Sequence, residues 1–211
     1  MEQLKAETMN NYEAWDIDGH ELEYFDDTHT YLVDGVIVPS ITQILKVKFG
    51  NKYAYVSKAV LRNAADKGTA VHEAIERYCT QGEESDLPEV RNFAFLQRQF
   101  GFEVLENETP VILHLDGEPM AAGRLDLVLK MGGKVGGADI KRTSQLDKEY
   151  LAYQLNLYRI AYRQCYGVEW EFLRGVHLRD MVRKFVEIPI NEELAWALVY
   201  DYLEVKHAEH Q

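Results

Sequence analysis

Two carboxylates and a lysine near the middle of the chain have the types and spacing of a metal-dependent phosphodiester site. Asp126 lies in the otherwise apolar run 125–129, and Asp139 and Lys141 follow a glycine-rich turn. Because side chains alternate along a strand, Asp139 and Lys141 point to the same face. Charges in apolar strands are costly unless they are paired or metal-bound. We expect these three residues to be catalytic. The alternative is that Asp126 is a solvated strand residue and that Asp139 and Lys141 form a weak surface ion pair.

Other residues could complete such a site. His72 lies just off a helical apolar stripe, where an imidazole ligand would shift the metal preference toward Mn²⁺, although a lone helical histidine is usually structural. Glu108 offers another carboxylate at a strand, and a solvated glutamate is the alternative there. Gln154 and Tyr158 lie four residues apart and share one helix face. The sequence thus predicts donors from several separate elements.

The elements that must position these residues follow from turn and capping signals. A hairpin or short meander is predicted over 24–38, and Ser40 with Gln43 forms a capping box for the next helix. Helical pattern covers 52–79 with an interruption near Gly68, and another helix runs from Pro88 to Gly101. An antiparallel meander is predicted over 102–115, 120–131 and 134–142, then a helix over 147–166, strands over 170–179 and 182–190, and a terminal helix capped by Asn191.

Composition limits the classes of protein. The chain has 211 residues and a net charge of −12, and no run of about 20 apolar residues that could span a bilayer. Cys79 and Cys165 are too few for a disulfide framework or an iron-sulfur cluster. The first seven residues lack the features of a targeting signal, so we expect a soluble, cytoplasmic protein.

Charge is unevenly distributed, and this suggests the domain organisation. We expect an acidic N-terminal extension with a β-hairpin over 1–35, one domain over 36–206 and a frayed tail over 207–211. The net charge argues against nucleic-acid binding by the overall field. A local basic run could still contact a phosphate backbone, or could be a solvated helix face. This run comprises Lys46, Lys48, Lys52, Lys58, Arg62 and Lys67.

Five short motifs, taken in order, resemble the RecB-like branch of the PD-(D/E)xK nuclease superfamily. They are G-x-x-x-H ending at His72, Glu108-Thr109-Pro110, Gly123-Arg124-Leu125-Asp126, Asp139-Ile140-Lys141 and Gln154-x-x-x-Tyr158. The segment 39–45 also looks like the entry segment of phage-type and mitochondrial genome maintenance exonucleases. The resemblance implies an α/β (α+β) fold with a restriction-endonuclease-like core, in which helices flank a mixed central β-sheet. The implied activity is metal-dependent DNA cleavage, usually exonucleolytic.

The resemblance also assigns roles. His72, Asp126, Asp139 and the carbonyl of Ile140 would hold one or two Mg²⁺ or Mn²⁺ ions, and Glu108 would act through water or from behind the ligands. Lys141 would position or deprotonate the attacking water. DNA contact or orientation of the site falls to Gln154, Tyr158, Arg124, Lys46, Lys48 and Lys52. The family often has Glu where this chain has Asp139. The shorter aspartate side chain reduces the reach of this ligand.

The resemblance further implies a stand-alone phage or prophage exonuclease without an iron-sulfur cluster, located in the bacterial host cytoplasm. Its implied partners are linear duplex or single-stranded DNA, a single-strand annealing protein and further copies of itself. Two alternatives stay open from the sequence. One is a catalytically idle DNA-binding or interaction module on the same scaffold, and the other is a metal-dependent hydrolase of small phosphoesters.

Overall fold

The structure is a computed structural model that describes residues 12–50 and 55–209. Its strands are β1 (Tyr12–Ile17), β2 (His20–Phe25), β3 (Thr30–Val33), β4 (Val36–Val38), β5 (Phe102–Leu115), β6 (Glu118–Met131), β7 (Lys134–Lys141), β8 (Phe172–Arg179) and β9 (Val182–Ile188). Its helices are α1 (Ile41–Phe49), α2 (Lys58–Gln81), α3 (Pro88–Phe100), α4 (Lys148–Tyr166) and α5 (Glu192–Glu209), and a short 3-10 turn covers Asp26–Thr28.

The first four strands form an antiparallel sheet in the order β1-β2-β3-β4. Its tight turns, Asp18-Gly19 and Asp34-Gly35, have the left-handed backbone that Asp-Gly hairpin turns require. Val33 pairs with Val36, so the β3–β4 hairpin has one strand on each side of the predicted domain boundary at residue 35. This sheet buries Leu22 and Tyr24 against Ile112 of β5, which joins it to the main body.

The main sheet has five strands in the order β5-β6-β7-β8-β9. β5, β6 and β7 form the predicted antiparallel meander, whereas β7 and β8 are parallel and α4 connects them. β9 returns antiparallel to β8. The predicted fold class is therefore confirmed: helices flank a mixed sheet, an arrangement compatible with a restriction-endonuclease-like core.

Apolar residues cover both faces of this sheet. One core joins α1, α4 and α5 to the sheet and includes the fully buried Ile44, Leu155, Leu198, Val128 and Leu173. The other joins α2 and α3 to the opposite face and includes Ile75, Phe93, Leu127, Ile140 and Val176. Such burial of both faces is the usual environment of the central strands in sheets with a parallel crossover.

Gly137 shows how closely the first core packs. A Cβ atom at this position would lie 2.0 Å from the ring of Trp170, which is itself 1% exposed. Only glycine leaves room for the indole above β7. The close contact places this strand directly beneath the segment that enters β8.

The helix ends follow the predicted capping, with two corrections. Ser40 and Gln43 form the capping box of α1, and Asn191 accepts a hydrogen bond from the backbone N–H of Leu194 at the start of α5. The predicted interruption at Gly68 is wrong, because α2 is continuous from Lys58 to Gln81. The cost of one internal glycine, about 1 kcal/mol, is small against a helix capped at both ends. α5 continues to Glu209 and takes in most of the predicted tail.

Within the described residues, no helix combines the length and the apolarity needed to cross a bilayer.

Candidate metal centre

The candidate site lies where β6 and β7 diverge. The backbone pairing of the two strands ends with Leu127 and Ala138. Beyond it, the carboxylate of Asp126 accepts a hydrogen bond from the backbone N–H of Ile140 at 2.6 Å. The side chain thus satisfies a backbone donor that the neighbouring strand leaves unpaired. The predicted placement of the two acidic motifs on adjacent strands is confirmed, and Asp126 is tied to the strand that carries Asp139.

α2 packs on the same face of the main sheet as α3 and brings His72 to this point. Its Nε2 lies 3.1 Å from the carbonyl oxygen of Ile140, and since a carbonyl only accepts, Nε2 is the donor. Its Nδ1 lies 3.5 Å from Oε1 of Glu108 and 3.6 Å from Oδ1 of Asp126. One ring nitrogen is therefore occupied by the backbone, and the other faces two carboxylates.

Ligand atoms of His72, Glu108 and Asp126 all lie within 4.8 Å of one another. An imidazole and two carboxylates, each partly shielded from solvent, form a donor set that suits Mn²⁺ and related divalent ions, and also Mg²⁺ if water completes the shell. These residues fit a metal ion. The structure puts Glu108 beside His72 itself, whereas the resemblance gave it a contact with the metal through water or a position behind the ligands.

The backbone of Glu108 explains its reach. Its φ is +47°, a left-handed conformation that costs a non-glycine residue about 1–2 kcal/mol. It lies between the pairs Asn107 with Leu127 and Thr109 with Leu125, opposite Asp126. Backbone strain of this kind persists where the surrounding structure enforces it, and it is common at functional sites.

Asp139 and Lys141 share one face of β7, as the alternation predicts. Lys141 Nζ lies 2.6 Å from Oδ2 of Asp139, whose side chain is 2% exposed. Burial raises the pKa of Asp139 to about 6, with the charge of Lys141 opposing and that of Asp126 reinforcing the rise. Burial lowers the pKa of Lys141, but the two carboxylates outweigh it and the net shift is upward. Lys141 is thus a cation held at the edge of the metal group, and Asp139 lies outside that group.

Neighbouring charges also determine the direction in which the pKa of His72 shifts. Burial is the largest single effect and lowers its pKa, but the carboxylates of Asp126 and Glu108, with a smaller effect of Asp139, raise it to about 9. Burial likewise raises the pKa of Asp126, against the charges of His72 and Lys141. At neutral pH the imidazole is therefore a cation between carboxylates, occupying electrostatically the place that a metal ion would take.

Arg124 connects this site to the N-terminal sheet. Its guanidinium lies 3.0 Å from Oε2 of Glu108 and 2.8 Å from Oε1 of Glu13 on β1, and it sits over the ring of Tyr24. Arg124 thus holds the carboxylate that faces His72. Of the two roles expected for Arg124, DNA contact or orientation of the site, these contacts fit the second.

Gln154 and Tyr158 lie on α4 and are 5% and 4% exposed. Gly123 allows the ring of Tyr158 to approach β6, since a Cβ there would lie 3.0 Å from its Cε1. Oε1 of Gln154 is buried without a hydrogen-bond partner among the described residues. Burial on this scale suits orientation of the strands more than direct contact with DNA.

The predicted basic contacts are dispersed. Lys46 lies near the site in a pocket of about 340 Å³ that Arg124, Glu108 and Tyr158 also line. Lys48 is paired with Glu149 at 3.3 Å and lies over the ring of Tyr153. Lys52 lies outside the described residues.

Sequence reasoning missed an ion pair at the end of β7. Arg142, immediately after Lys141, donates to Oε1 of Glu89 at 2.7 Å, and that glutamate is 2% exposed. Glu89 occupies the first turn of α3, where its charge also suits the helix dipole. The sequence signal is only an arginine next to the motif. Its partner is 53 residues away, and no spacing rule joins the two.

Comparison with known proteins adds little. No family model and no curated protein matches the sequence. Several solved structures match, among them a protein described as SSO0001, with a TM-score of 0.44 and 16% identity over 80% of this chain and 76% of that chain. A similarity this low carries no argument about function, so the site geometry alone has to support one.

Proposed function

We propose that the chain is a divalent-metal-dependent deoxyribonuclease of the RecB-like PD-(D/E)xK type, acting as an exonuclease in phage or prophage DNA recombination, replication or repair. One observation carries the proposal. His72, Glu108 and Asp126 converge within 4.8 Å beside a buried carboxylate paired with Lys141. A merely structural histidine would not need two carboxylates at one ring nitrogen, with a third carboxylate paired to a lysine beside them.

The proposed metal is Mg²⁺ or Mn²⁺, held by His72, Glu108 and Asp126. Once bound, it would polarise a phosphoryl oxygen and lower the pKa of a water molecule. Asp139 lies adjacent and could contact a second ion.

The chain's own groups have separate tasks. Asp126 holds the backbone of Ile140, which keeps β7 and its lysine in register with the donors on β6. Lys141 keeps a positive charge next to the site, where it would orient the attacking water and stabilise the negative charge that develops on the phosphoryl group. Arg124 restrains Glu108 through its bond at 3.0 Å.

The proposal is tested by incubating the protein with Mn²⁺ and end-labelled linear DNA, with circular DNA in parallel. Digestion of the linear substrate alone is expected. Lys141→Ala should abolish cleavage while the protein stays folded. Lys134→Ala is the matched control, because it removes a lysine from the other end of the same strand, where the ammonium pairs with Glu171. Full activity of Lys141→Ala would refute the assignment.

Two other outcomes point to the alternatives. DNA binding without cleavage in any divalent metal would indicate an idle binding module. Hydrolysis of small phosphoesters such as p-nitrophenyl phosphate, with no attack on DNA, would indicate a phosphoesterase for small substrates. Labelling the 5′ and the 3′ ends separately gives the polarity.

A further inference from the structure

The first half of α2 projects from the body of the protein. Every residue from 58 to 67 is exposed, and burial begins only at Val71, one residue before His72. At 1.5 Å per residue this overhang, taken as residues 58–70, is about 20 Å long. A helix segment exposed on all sides gains little stability from tertiary packing, so its side chains are accessible to a ligand beside the candidate site.

One face of the overhang lies in line with His72 along the helix. With 3.6 residues per turn, Lys58 and Arg62 lie about 40° and about 80° around the helix from His72, whereas Lys67 lies about 140° away. Arg62 is ten residues and Lys58 fourteen residues before His72, which corresponds to about 15 Å and about 21 Å along the axis. Two cations therefore stand above the candidate metal centre on the face that leads into it.

These cations are available. Among the residues that the structure describes, neither Lys58 nor Arg62 takes part in an ion pair, in contrast to Lys48 and Lys141. The protein as a whole carries a charge of −12, so two accessible cations beside an acidic site favour an anionic ligand at this place. Asp66 is the acidic residue within the overhang, and it lies farther around the helix from His72 than either cation.

We infer that the exposed half of α2 is a docking surface for the phosphate backbone of a polynucleotide strand running to the His72 site, with Lys58 and Arg62 as phosphate contacts. The inference rests on the proposed function and makes it more specific. At about 3.4 Å per nucleotide of a B-form strand, the two cations meet phosphates about four to six nucleotides from the scissile bond. The substrate is then a polynucleotide, and a small phosphoester cannot use this surface.

The test is the double variant Lys58→Ala/Arg62→Ala, with Lys67→Ala as the control on the opposite side of the same helix. Alanine preserves the helix, so folding is retained. Binding to fluorescent oligonucleotides of about 4 and about 20 nucleotides is measured by anisotropy without metal, over a range of salt concentrations. For the long oligonucleotide, the slope of log K against log salt should fall by about 1.4 for single strands or about 1.8 for duplex, which is the loss of two phosphate contacts.

Binding of the short oligonucleotide should be unchanged in the double variant, and Lys67→Ala should bind both as the wild type does. An unchanged affinity and salt slope of the double variant for the long oligonucleotide would overturn the inference, as would an equal loss in Lys67→Ala. The outcomes separate the two proposals. Cleavage by a double variant that binds like the wild type refutes only the docking surface, and weakened binding by a protein that never cleaves DNA refutes only the nuclease.

Discussion

Metal binding by this protein should displace a proton from His72. The imidazole has a pKa raised to about 9 by Asp126 and Glu108 despite its burial. A metal ion that binds through Nδ1 of His72 must compete with the proton on that nitrogen. At pH 7.5 such a group is about 97% protonated, so binding of one ion should release about one proton, and the apparent affinity should rise about tenfold per pH unit between pH 7 and pH 8.5.

The same shift sets the pH dependence of stability without metal. A rise from 6.5 to about 9 corresponds to about 3 kcal/mol, at about 1.4 kcal/mol per pKa unit. Because the folded state binds the proton more tightly than the unfolded state, this stabilisation is fully present below pH 6.5 and is lost as the pH rises through 9. Metal ions should offset the loss, since they bind the folded state alone.

Calorimetric titration with Mn²⁺ in buffers of different ionisation enthalpy measures the proton release directly. His72→Gln should abolish that release, and His207→Gln, which alters an exposed histidine near the end of α5, should not. Metal binding that is tight but independent of pH would refute the reasoning, and so would the same proton release from His72→Gln. Urea unfolding at pH 6.5 and pH 9 checks the stability of the metal-free protein.

Three further changes test the fold. Gly137→Ala should lower the free energy of unfolding by about 2–3 kcal/mol, because the new methyl group overlaps the Trp170 ring, and urea titration followed by tryptophan fluorescence would show it. Gly68→Ala, which meets no atom within 4 Å, should raise that free energy by up to about 1 kcal/mol if α2 is continuous. Ser40→Ala should cost about 1 kcal/mol in thermal unfolding and Ser40→Gly only a few tenths, because the cap of α1 is lost.

The fold was largely predictable because its strongest local signals agree with its topology. The alternating meander over 102–142 and the capping residues Ser40 and Asn191 are signals carried by residues that lie close together in the chain. The N-terminal sheet was only half predicted, although Asp18-Gly19 is a hairpin signal of the same kind as Asp34-Gly35. The failure at Gly68 has a physical cause, because a single glycine weakens a helix by less than its caps and its packed second half contribute.

Some contacts of the candidate site could also be predicted from the sequence, and others could not. The pairing of Asp139 with Lys141 follows from the period of a strand, and a sequence contains that period. The contact of Glu108 with His72 depends on a left-handed residue inside β5, and nothing in Glu108-Thr109-Pro110 indicates that conformation. Contacts such as Arg142 with Glu89 and Arg124 with Glu13 join residues 53 and 111 positions apart, and only the tertiary structure brings them together.

The parallel pairing of β7 with β8 has a consequence for synthesis of the chain. Asp139 and Lys141 lie opposite Gly175 and His177, so the strand that carries the lysine gains its second neighbour only after α4 and β8 have left the ribosome. His72 contacts Ile140 across 68 residues, and closing such a loop brings no gain until both ends are ordered. We therefore expect a nascent or truncated chain that stops before residue 172 to have every predicted donor in its sequence but an unassembled site. Any activity should then begin only after β8 has been synthesised.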